Sequence, residues 1–595
     1  MARPGAVTAG GAPGTKILDL PLLKRLVPFA WNHRKPLGIS LLLLPASAGM
    51  QLVPPWLIKR AIDGPIKAGE SAGLAPIALL LLGALLVQYT LQFLQSYSMH
   101  LGGQGIVHDL RVAVHGHLLT LHDRYFRKHP AGRLLTRCTN DVEGIGEMFA
   151  SGFLTLFADL LLLLGICVAL VVLNWKLALV TFAVMPALFL VSRWFQVALR
   201  GAYREIRAKV SVLNAYLQER ISGIRVIQLF AREDKALTEF REKSWELMNT
   251  HLRSIKLDAS LFAFVDGMSY LVTALLFWWA AGPVLDETLT LGALVAFVDY
   301  VRRFFQPIRD LSQKFATLQA GLASAERVFT LLDEDDQIPV VDEPVDLGTV
   351  EGRITFEDVH FAYVDDEPVL RGLHLDVAAG EKVALLGVTG AGKSTALRLI
   401  NRTYDVGSGV VRLDGVDVRE AHPAELRGAI GVVLQDVMLF KGSIRENLTL
   451  GVPGVDDAVL WTALERVGAR AVVARLGGLD AELTERGRNL SAGERQLVAF
   501  ARVLVYDPRV LVLDEATSNV DTFAEERIQH AVAEAMEGRT SIVVAHRLST
   551  IQQVDRIVVL KGGRVAEEGT HAELMELGGL YRRLYENYYS GSAAA

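Results

Sequence analysis

The chain has 595 residues, of which 51% are hydrophobic and 21% are charged, with a formal net charge of -5. This composition excludes a disordered chain, because disordered chains are poor in apolar residues and rich in net charge. The 61 basic and 66 acidic side chains nearly cancel, so the charge gives no reason to expect a nucleic acid partner. Cys138 and Cys167 are too few for a disulfide framework or a four-cysteine zinc site. A mean hydropathy of +0.30 indicates that part of the chain is embedded in lipid.

The N-terminal residues divide into two short regions. Residues 1–16 are rich in Gly, Ala and Pro and have no apolar period, so we predict a flexible tail. No long apolar run follows their basic residues closely, which argues against a signal peptide. Residues 20–35 mix apolar and basic side chains, which predicts a short helix. This helix either lies on the inner membrane surface or is an ordinary surface helix.

Long apolar runs follow, and they predict membrane-spanning helices. A helix needs ~20 apolar residues to cross a hydrocarbon core of ~30 Å. The predicted spans are residues 36–58, 71–99, 149–175, 177–192, 259–285 and, more weakly, 288–298. Asp159 and Asp266 interrupt the third and fifth spans, and a turn at Asn174 to Lys176 separates the third from the fourth. Hydropathy alone therefore predicts five clear spans and one weak one.

The distribution of basic residues supports six crossings. Segments 100–148 and 193–256 hold 6 and 13 Lys and Arg residues, whereas the three connections on the other side together hold four. Because basic loops face the cytoplasm, both long segments are predicted to be cytoplasmic. The stretch before residue 36 and the soluble region after residue 325 are then cytoplasmic too. Two cytoplasmic ends require an even number of crossings, which favours six over five.

The composition changes sharply after the last span. Residues 333–346 contain seven acidic residues and two prolines, which predicts a solvated linker or a disordered regulatory insert. From residue 352 onward, short β-rich runs alternate with helical patterns. This alternation predicts an α/β domain with a largely parallel sheet. The final residues, Gly591 to Ala595, have no distinguishing pattern.

The strongest local motif is the glycine-rich segment from Gly387 to Thr395, which matches G-x-x-x-x-G-K-[ST]. A predicted strand at 382–386 precedes it and a helical run follows it, as a phosphate-binding loop requires. Backbone N–H groups and the helix N-terminus would surround phosphate oxygens. Lys393 would place a cation at the outer phosphates, and the Ser394 hydroxyl would bind Mg²⁺. The motif therefore predicts binding of a nucleoside triphosphate.

A second motif supplies carboxylates downstream of the phosphate loop. Residues 510–513 are apolar and end in Asp514 and Glu515. Asp514 would hold Mg²⁺ and its waters, and Glu515 would polarise the attacking water. His546 follows the predicted strand 541–545 and would hydrogen-bond the γ-phosphate or hold Glu515 in place. Positioning and charge dominate phosphoryl transfer, so these few groups suffice for an ATPase.

The segment from Leu490 to Gln496, LSAGERQ, resembles the LSGGQ signature of ATP-binding cassette (ABC) proteins. Other motifs resemble that family in the same order: Tyr363 as the aromatic loop, Gln435 as the Q-loop, Thr484–Gly487 as the exporter-type X-loop, Ser518–Asp521 as the D-loop and His546 as the switch histidine. Residues 130–142, 217–230 and 305–311 resemble two cytoplasmic loops and the sixth helix of exporter membrane domains. The resemblance covers roughly residues 20–585 and indicates a half-size ABC exporter.

The resemblance implies that two nucleotide-binding domains enclose two ATP molecules, with each phosphate loop facing the other subunit's signature. Short helices near 112–118 and 212–221 would seat the membrane domain on the nucleotide-binding domain. Glu515, His546 and Gln435 would be catalytic, and Ser394, Gln435 and Asp514 would bind Mg²⁺. The implied ATP-binding residues are Tyr363, Thr389, Gly390, Gly392, Lys393, Ser394, Thr395, Gln435, Ser491, Gly493 and Asp521.

The signature departs from the family pattern at two positions. Ala492 replaces its second glycine, and Glu494 replaces its glutamine. Repulsion from Glu494 would weaken a partner's ATP site, whereas an outward-pointing Glu494 would have no effect. Heterodimeric exporters often combine a retained catalytic glutamate with an altered signature in one subunit. The sequence therefore favours a heterodimer over a homodimer, in which the change would be harmless variation.

Charged residues inside spans are costly and tend to face the bundle interior. Asp159 and Asp266 therefore either line a path for cationic substrates or pair with basic side chains. Cys138 and Cys167 are predicted to be inert. The predicted organisation is a tail (1–16), a six-helix transmembrane domain (17–325), a linker (326–350), an α/β P-loop nucleotide-binding domain (351–585) and a second tail (586–595).

The predicted function is export of hydrophobic or amphipathic drugs, lipids or peptides across the cytoplasmic membrane, driven by ATP hydrolysis with Mg²⁺ as a cofactor. The predicted partners are a second half-transporter, membrane lipids and the substrate. A lipid flippase of the same fold is an alternative. The apolar spans argue against a cytosolic ATPase cassette, and Glu515 argues against a non-transporting, nucleotide-gated membrane protein.

Overall fold

The structure is a computed structural model, and it describes residues 20–286, 288–364, 366–514, 522–545 and 548–589. Contacts within the chain divide it into two compact units. The first extends to Leu119 and includes His129–Glu334, and the second combines Thr120–Lys128 with the chain from Asp335 onward. The unit boundary after Glu334 falls inside the predicted acidic linker. The domain boundaries given above stay predictions.

The first unit is helical. The helices from the start of the described chain to Leu332 are α1 (Leu20–Asn32), α2 (Arg34–Met50), α3 (Val53–Ala61), α4 (Leu74–Thr120), α5 (Asp123–Lys128), α6 (Ala131–Thr136), α7 (Val142–Glu147), α8 (Leu154–Ala183), α9 (Met185–Ser222), α10 (Ile224–Leu229), α11 (Glu233–Leu285) and α12 (Leu291–Leu332). Helix α5 belongs to the second unit. Short π-helical segments join several of the others, at Ile62–Ile66, Arg137–Asp141 and Met148–Phe153.

Among the described residues, five helical stretches are long and apolar enough to cross a membrane. They are Arg34–Ile66, Ser71–Thr120, Ala131–Leu173, Trp175–Ser222 and Glu233–Leu285. Helix α12 has 42 residues but carries more charge, which explains why hydropathy alone gives only five clear spans. The predicted membrane domain is confirmed, and α12 occupies the place of the weak sixth span.

The predicted turn at 174–176 is confirmed as a break in helix α8. Asn174 has non-helical backbone angles (φ -163°, ψ 107°). Its Oδ1 accepts hydrogen bonds from the backbone N–H groups of Lys176 (3.0 Å) and Leu177 (3.2 Å). A side-chain oxygen that accepts from the first free N–H groups starts a new helix. A single asparagine therefore marks the end of one membrane span and the start of the next.

The long helices extend beyond the thickness of the membrane. The short connecting helices therefore do not lie at the positions that the sequence predicted. A 47-residue helix such as α4 is ~70 Å long at ~1.5 Å per residue, so it extends well beyond a ~30 Å core. Residues 112–118 and 212–221 lie inside α4 and α9. The isolated Gly116 does not break α4, whereas the chain does break at Gly223, and the short helices are α5 and α10.

Polar contacts join α12 to the rest of the first unit. At its N-terminal end, Asp63 accepts hydrogen bonds from the Thr290 hydroxyl (2.7 Å) and the Gly292 N–H (2.8 Å). In the middle, Lys314 forms an ion pair with Asp159 of α8. Near the other end, Arg25 of α1 forms a two-bonded pair with Asp333 (2.5 and 2.6 Å). The Asp159 carboxylate is therefore paired, in agreement with the pairing alternative.

The second unit is the predicted α/β domain. Its strands are β1 (Ile354–Ala362), β2 (Pro368–Val377), β3 (Lys382–Leu386), β4 (Ser408–Leu413), β5 (Val416–Asp417), β6 (Ile430–Val433), β7 (Gly442–Ser443), β8 (Glu482–Leu483), β9 (Val510–Asp514), β10 (Thr540–Val544), β11 (Arg556–Lys561) and β12 (Arg564–Gly569). Its further helices are α13 (Lys393–Ile400), α14 (Pro423–Ala429), α15 (Ile444–Thr449), α16 (Asp457–Arg466), α17 (Arg470–Leu476), α18 (Ala492–Tyr506), α19 (Thr522–Met536), α20 (Leu548–Ile551), α21 (His571–Leu577) and α22 (Leu580–Tyr589).

Two principal sheets form this domain. The larger has the order β12-β11-β3-β10-β9-β6, and its strands are parallel except for β12. Strand β10 is buried along its whole length, as expected for a parallel sheet that is covered on both faces. The smaller sheet, β2-β1-β4-β5, is antiparallel. The carboxyl ends of β3, β6, β9 and β10 lie along one edge of the larger sheet, where ligands bind in folds of this class.

Candidate functional site

The segment between β3 and α13 has the backbone of a phosphate-binding loop. Gly387, Gly390 and Gly392 all have positive φ angles, of 146°, 84° and 103°. A Cβ on Gly387 would lie 2.4 Å from the Leu560 carbonyl oxygen, and one on Gly392 would lie 2.6 Å from the Leu370 side chain. Only glycine fits this turn, which leads the chain directly into the N-terminus of α13.

Lys393 lies inside the loop in which it is expected to bind phosphate. Its Nζ donates hydrogen bonds to the carbonyl oxygens of Gly387 (2.7 Å) and Val388 (3.3 Å). Only 9% of the residue is exposed, and burial lowers the pKa of its ammonium group, against the effect of Asp514. The loop thus holds a desolvated cation beside the exposed residues Thr389 and Gly390. This arrangement suits a polyphosphate anion.

Oxygen ligands for a divalent cation lie beside the loop. The Ser394 hydroxyl and the Asp514 Oδ1 are 3.5 Å apart, although 120 residues separate them in sequence. Strand β9 ends at Asp514, and β6 lies next to it in register, with Val433 opposite Leu513. Gln435, two residues beyond Val433, is exposed. Hydroxyl, carboxylate and amide oxygens are the ligands that Mg²⁺ prefers, so this donor set fits the cation.

Tyr363 lies against the first turn of α13. Its hydroxyl group forms a hydrogen bond with the Thr395 Oγ1 (3.2 Å) and accepts one from Arg398 (2.9 Å). Its ring makes edge contacts with Phe361 (4.9 Å between centroids) and Tyr404 (5.2 Å). The structure therefore places the predicted adenine-stacking residue next to the phosphate loop.

The signature forms the N-terminus of α18. Ser491 is its N-cap residue: the Ser491 Oγ accepts from the Glu494 N–H (3.2 Å), and the Glu494 side chain accepts from the Ser491 N–H (2.9 Å). The other carboxylate oxygen of Glu494 accepts a hydrogen bond from Arg475 (2.7 Å). Ser491 and Ala492 are exposed, whereas Gly493 is buried. Glu494 is thus neither free nor outward-pointing, which differs from both alternatives considered for it.

Three of the predicted site residues, Glu515, Asp521 and His546, lie outside the described residues. Their neighbours are described: β9 ends at Asp514, α19 begins at Thr522, and β10 ends at Val544. Strands β9 and β10 are adjacent, with Asp514 opposite Val544. The roles of all three residues stay predictions.

The structure also shows a contact that the motifs did not reveal. The segment Thr120–Lys128 packs within the nucleotide-binding unit. The ring of the buried residue His122 meets Tyr404 edge-on (4.6 Å), and the backbone N–H of His122 donates to the Asp336 carbonyl oxygen (2.7 Å). Arg124 forms two hydrogen bonds with the Asp336 carboxylate (2.6 and 3.2 Å). Burial lowers the pKa of His122, which favours the neutral ring.

The sequence did contain a local signal for this segment. Asp123 stands at the first position of α5, and Arg127 and Lys128 stand at its end, which matches the helix dipole. The surface that receives the segment is more than 200 residues away in sequence, so no local pattern identifies it.

Comparisons with known proteins agree with this architecture. Residues 37–308 match the family model described as ABC transporter transmembrane region, and residues 370–518 match the model described as ABC transporter. The chain is 36% identical over 569 residues to an uncharacterized ABC transporter ATP-binding protein of Bacillus subtilis, covering 95% of this chain and 94% of that protein.

Two further relatives have more specific names. An ATP-dependent lipid A-core flippase of Thiobacillus denitrificans is 34% identical over 577 residues, which is 96% of this chain and 98% of the flippase. A probable multidrug resistance ABC transporter ATP-binding/permease protein of Bacillus subtilis is 36% identical over 521 residues, 87% of this chain and 77% of that protein. The chain therefore belongs to the ABC transporter family, as an exporter-type half-transporter in which a membrane domain is fused to an ATPase domain.

Proposed function

We propose that this chain is one half of a dimeric pump that couples ATP hydrolysis to export of hydrophobic or amphipathic molecules. The observation that carries the proposal is the convergence of Lys393, Ser394 and Asp514 at one sheet edge, in a chain whose described residues also include five apolar helical stretches. The site supplies a cationic side chain for the phosphates of a nucleotide and oxygen ligands for its divalent cation. The helices supply a path through the lipid bilayer.

Mg²⁺ is the cation that we propose for the ATP site. Ser394, Asp514 and Gln435 would hold it, and when bound it would neutralise charge on the phosphate oxygens. Tyr363, Thr389, Gly390, Gly392, Lys393 and Thr395 would bind the nucleotide of the same chain. Ser491, Gly493 and Asp521 would contribute from the opposite subunit, because a signature and its own phosphate loop serve different ATP molecules in the proposed dimer. Glu515 would be the catalytic carboxylate, with His546 beside it.

The cargo that we propose is a drug-like amphiphile or a lipid. It would be exported across the cytoplasmic membrane, and the ATPase domain would lie in the cytoplasm. The names of the flippase and the multidrug resistance relative support this class. The test uses inside-out vesicles that contain the transporter, a fluorescent amphipathic dye and a headgroup-labelled lipid in separate assays. Uptake or flipping that needs hydrolysable ATP supports the proposal, and its absence for both probes contradicts it.

The signature bears on the identity of the second subunit, for which we propose a second copy of this chain. The Glu494 charge is paired with Arg475, so the heterodimer prediction now rests chiefly on Ala492. We expect the chain, expressed without any other half-transporter, to form a stable complex of two copies that hydrolyses ATP. Mass measurement and an ATPase assay on the purified complex test this expectation. An inactive or monomeric product would favour the heterodimer instead.

We also propose that the segment Thr120–Lys128 transmits nucleotide-dependent movement to α4, with which it is continuous in the chain. We expect His122→Ala to reduce transport severalfold while leaving basal ATPase activity close to that of the wild type. The substitution removes a ring that packs on Tyr404, in a residue that is 9% exposed. An edge-on ring contact of this kind contributes about 0.5–1.5 kcal/mol beyond the area that it buries.

The measurement is the ratio of transported dye to hydrolysed ATP in the same vesicles. His115→Ala is the matched control, because His115 is an exposed histidine on α4. We expect this control to keep the wild-type ratio. If His122→Ala also keeps it, the segment does not couple the two activities.

A further inference from the structure

Arg475 and Glu494 form a connected group with the signature serine. Arg475, at the end of α17, donates to one carboxylate oxygen of Glu494 at 2.7 Å. The other carboxylate oxygen accepts the Ser491 N–H at 2.9 Å, and the Ser491 hydroxyl accepts the Glu494 N–H at 3.2 Å. The Glu494 side chain is 16% exposed and that of Arg475 is 60% exposed. The guanidinium group therefore lies on the open side of a mostly buried carboxylate.

The charge state of Glu494 matters because the signature is expected to meet a triphosphate. Burial alone would raise the pKa of Glu494, but hydrogen bonds from Ser491 and Arg475 outweigh this effect and lower it. Glu494 is therefore ionised at neutral pH. Its negative charge lies in the first turn of α18, where the N-terminus would otherwise favour an anion. Without a compensating cation, this carboxylate would oppose a γ-phosphate that approaches Ser491.

We propose that Arg475 is a positioning residue for ATP bound by the opposite subunit, because it neutralises Glu494 and holds it in the cap of Ser491. This inference rests on the proposed function, since it requires an ATP molecule between two subunits. It explains how a signature with a glutamate in place of glutamine accepts a polyanion. Arg475 acts through Glu494 and Ser491 and needs no direct contact with the nucleotide.

The proposal predicts a specific pattern in a double-substitution experiment. Arg475→Ala leaves the Glu494 charge unpaired, so we expect the KM for ATP to rise about five- to tenfold with little change in kcat. The defect should shrink at high salt, because exposed charges are screened over ~10 Å at 0.1 M ionic strength. Adding Glu494→Gln should restore the KM, because glutamine retains the cap and removes the charge.

A purely structural role for Arg475 predicts a different pattern. In that case Arg475→Ala would lower thermal stability, the defect would not respond to salt, and Glu494→Gln would not rescue it. The matched control is Arg470→Ala on the same helix. Arg470 has a similar exposure (58%) and pairs with Glu465 rather than with a signature residue. We expect this control to keep the wild-type KM at every salt concentration.

The experiment uses the full-length transporter, purified with any subunit that co-purifies, and measures ATPase activity against ATP concentration at low and high salt. Lys393→Ala is included in each series. If wild type and Lys393→Ala have equal activity, the proposed ATPase function fails. If only wild type is active but Arg475→Ala has a normal KM, or has a raised KM that Glu494→Gln does not rescue, the role of Arg475 is wrong while the function stands.

Discussion

Lys393→Ala is expected to weaken ATP binding by roughly 10- to 100-fold and to abolish hydrolysis and transport at working ATP concentrations. The ammonium group is enclosed by the loop carbonyls of Gly387 and Val388, so it is already positioned where phosphate oxygens would replace those carbonyls. Hydrogen bonds to charged groups contribute about 1.5–3 kcal/mol each, which accounts for the size of the loss. No other lysine in the described part of the chain lies within this loop.

Binding is measured by titration with ATP and Mg²⁺ and, independently, by the rise in unfolding temperature that ATP causes. Lys382→Ala is the matched control, because Lys382 lies at the opposite end of β3 from the loop. The unfolding temperature without ATP shows whether each variant is folded. A folded Lys393→Ala variant with normal nucleotide affinity would contradict the assignment of the phosphate loop.

The parts of this protein that could be predicted from sequence are those written in contiguous residues. The phosphate loop needs glycine at fixed positions, because a side chain at Gly387 or Gly392 would collide with neighbouring atoms. The turn at Asn174 is equally local, since one amide oxygen caps the helix that follows. Apolar length alone likewise gave five membrane spans.

Contacts between distant residues could not be predicted in this way. Lys314 pairs with Asp159, which is 155 residues away in sequence. A hydropathy profile shows a charged residue in each of the two helices, but it does not show that the two charges form an ion pair. Arg475 meets Glu494 because α17 and α18 come together in the folded domain. His122 reaches Tyr404 only when both ends of a long chain segment fold back. These contacts depend on tertiary packing, and they altered the interpretation of Asp159, the signature and the connecting helices.

Glu515→Gln is expected to lower ATP turnover by about 100- to 10,000-fold while leaving ATP binding intact, which is the usual contribution of a general base. Glutamine has nearly the same size, but it cannot accept a proton from the attacking water. The preceding residue, Asp514, remains at the end of β9 beside Ser394 to hold Mg²⁺. Loss of turnover without loss of affinity therefore distinguishes this variant from Lys393→Ala.

The matched control is Glu526→Gln, because Glu526 is an exposed glutamate on α19. We expect it to keep wild-type turnover, and normal turnover in Glu515→Gln would show that another group activates the water.

The amount of ATP retained by Glu515→Gln after a single addition also bears on the partner. In a complex of two copies both sites lose the carboxylate, so two unhydrolysed ATP molecules should remain per complex. If a different subunit supplied a second catalytic carboxylate, one of the two would still be hydrolysed. A single substitution thus tests the catalytic residue and whether the complex contains a second catalytic carboxylate.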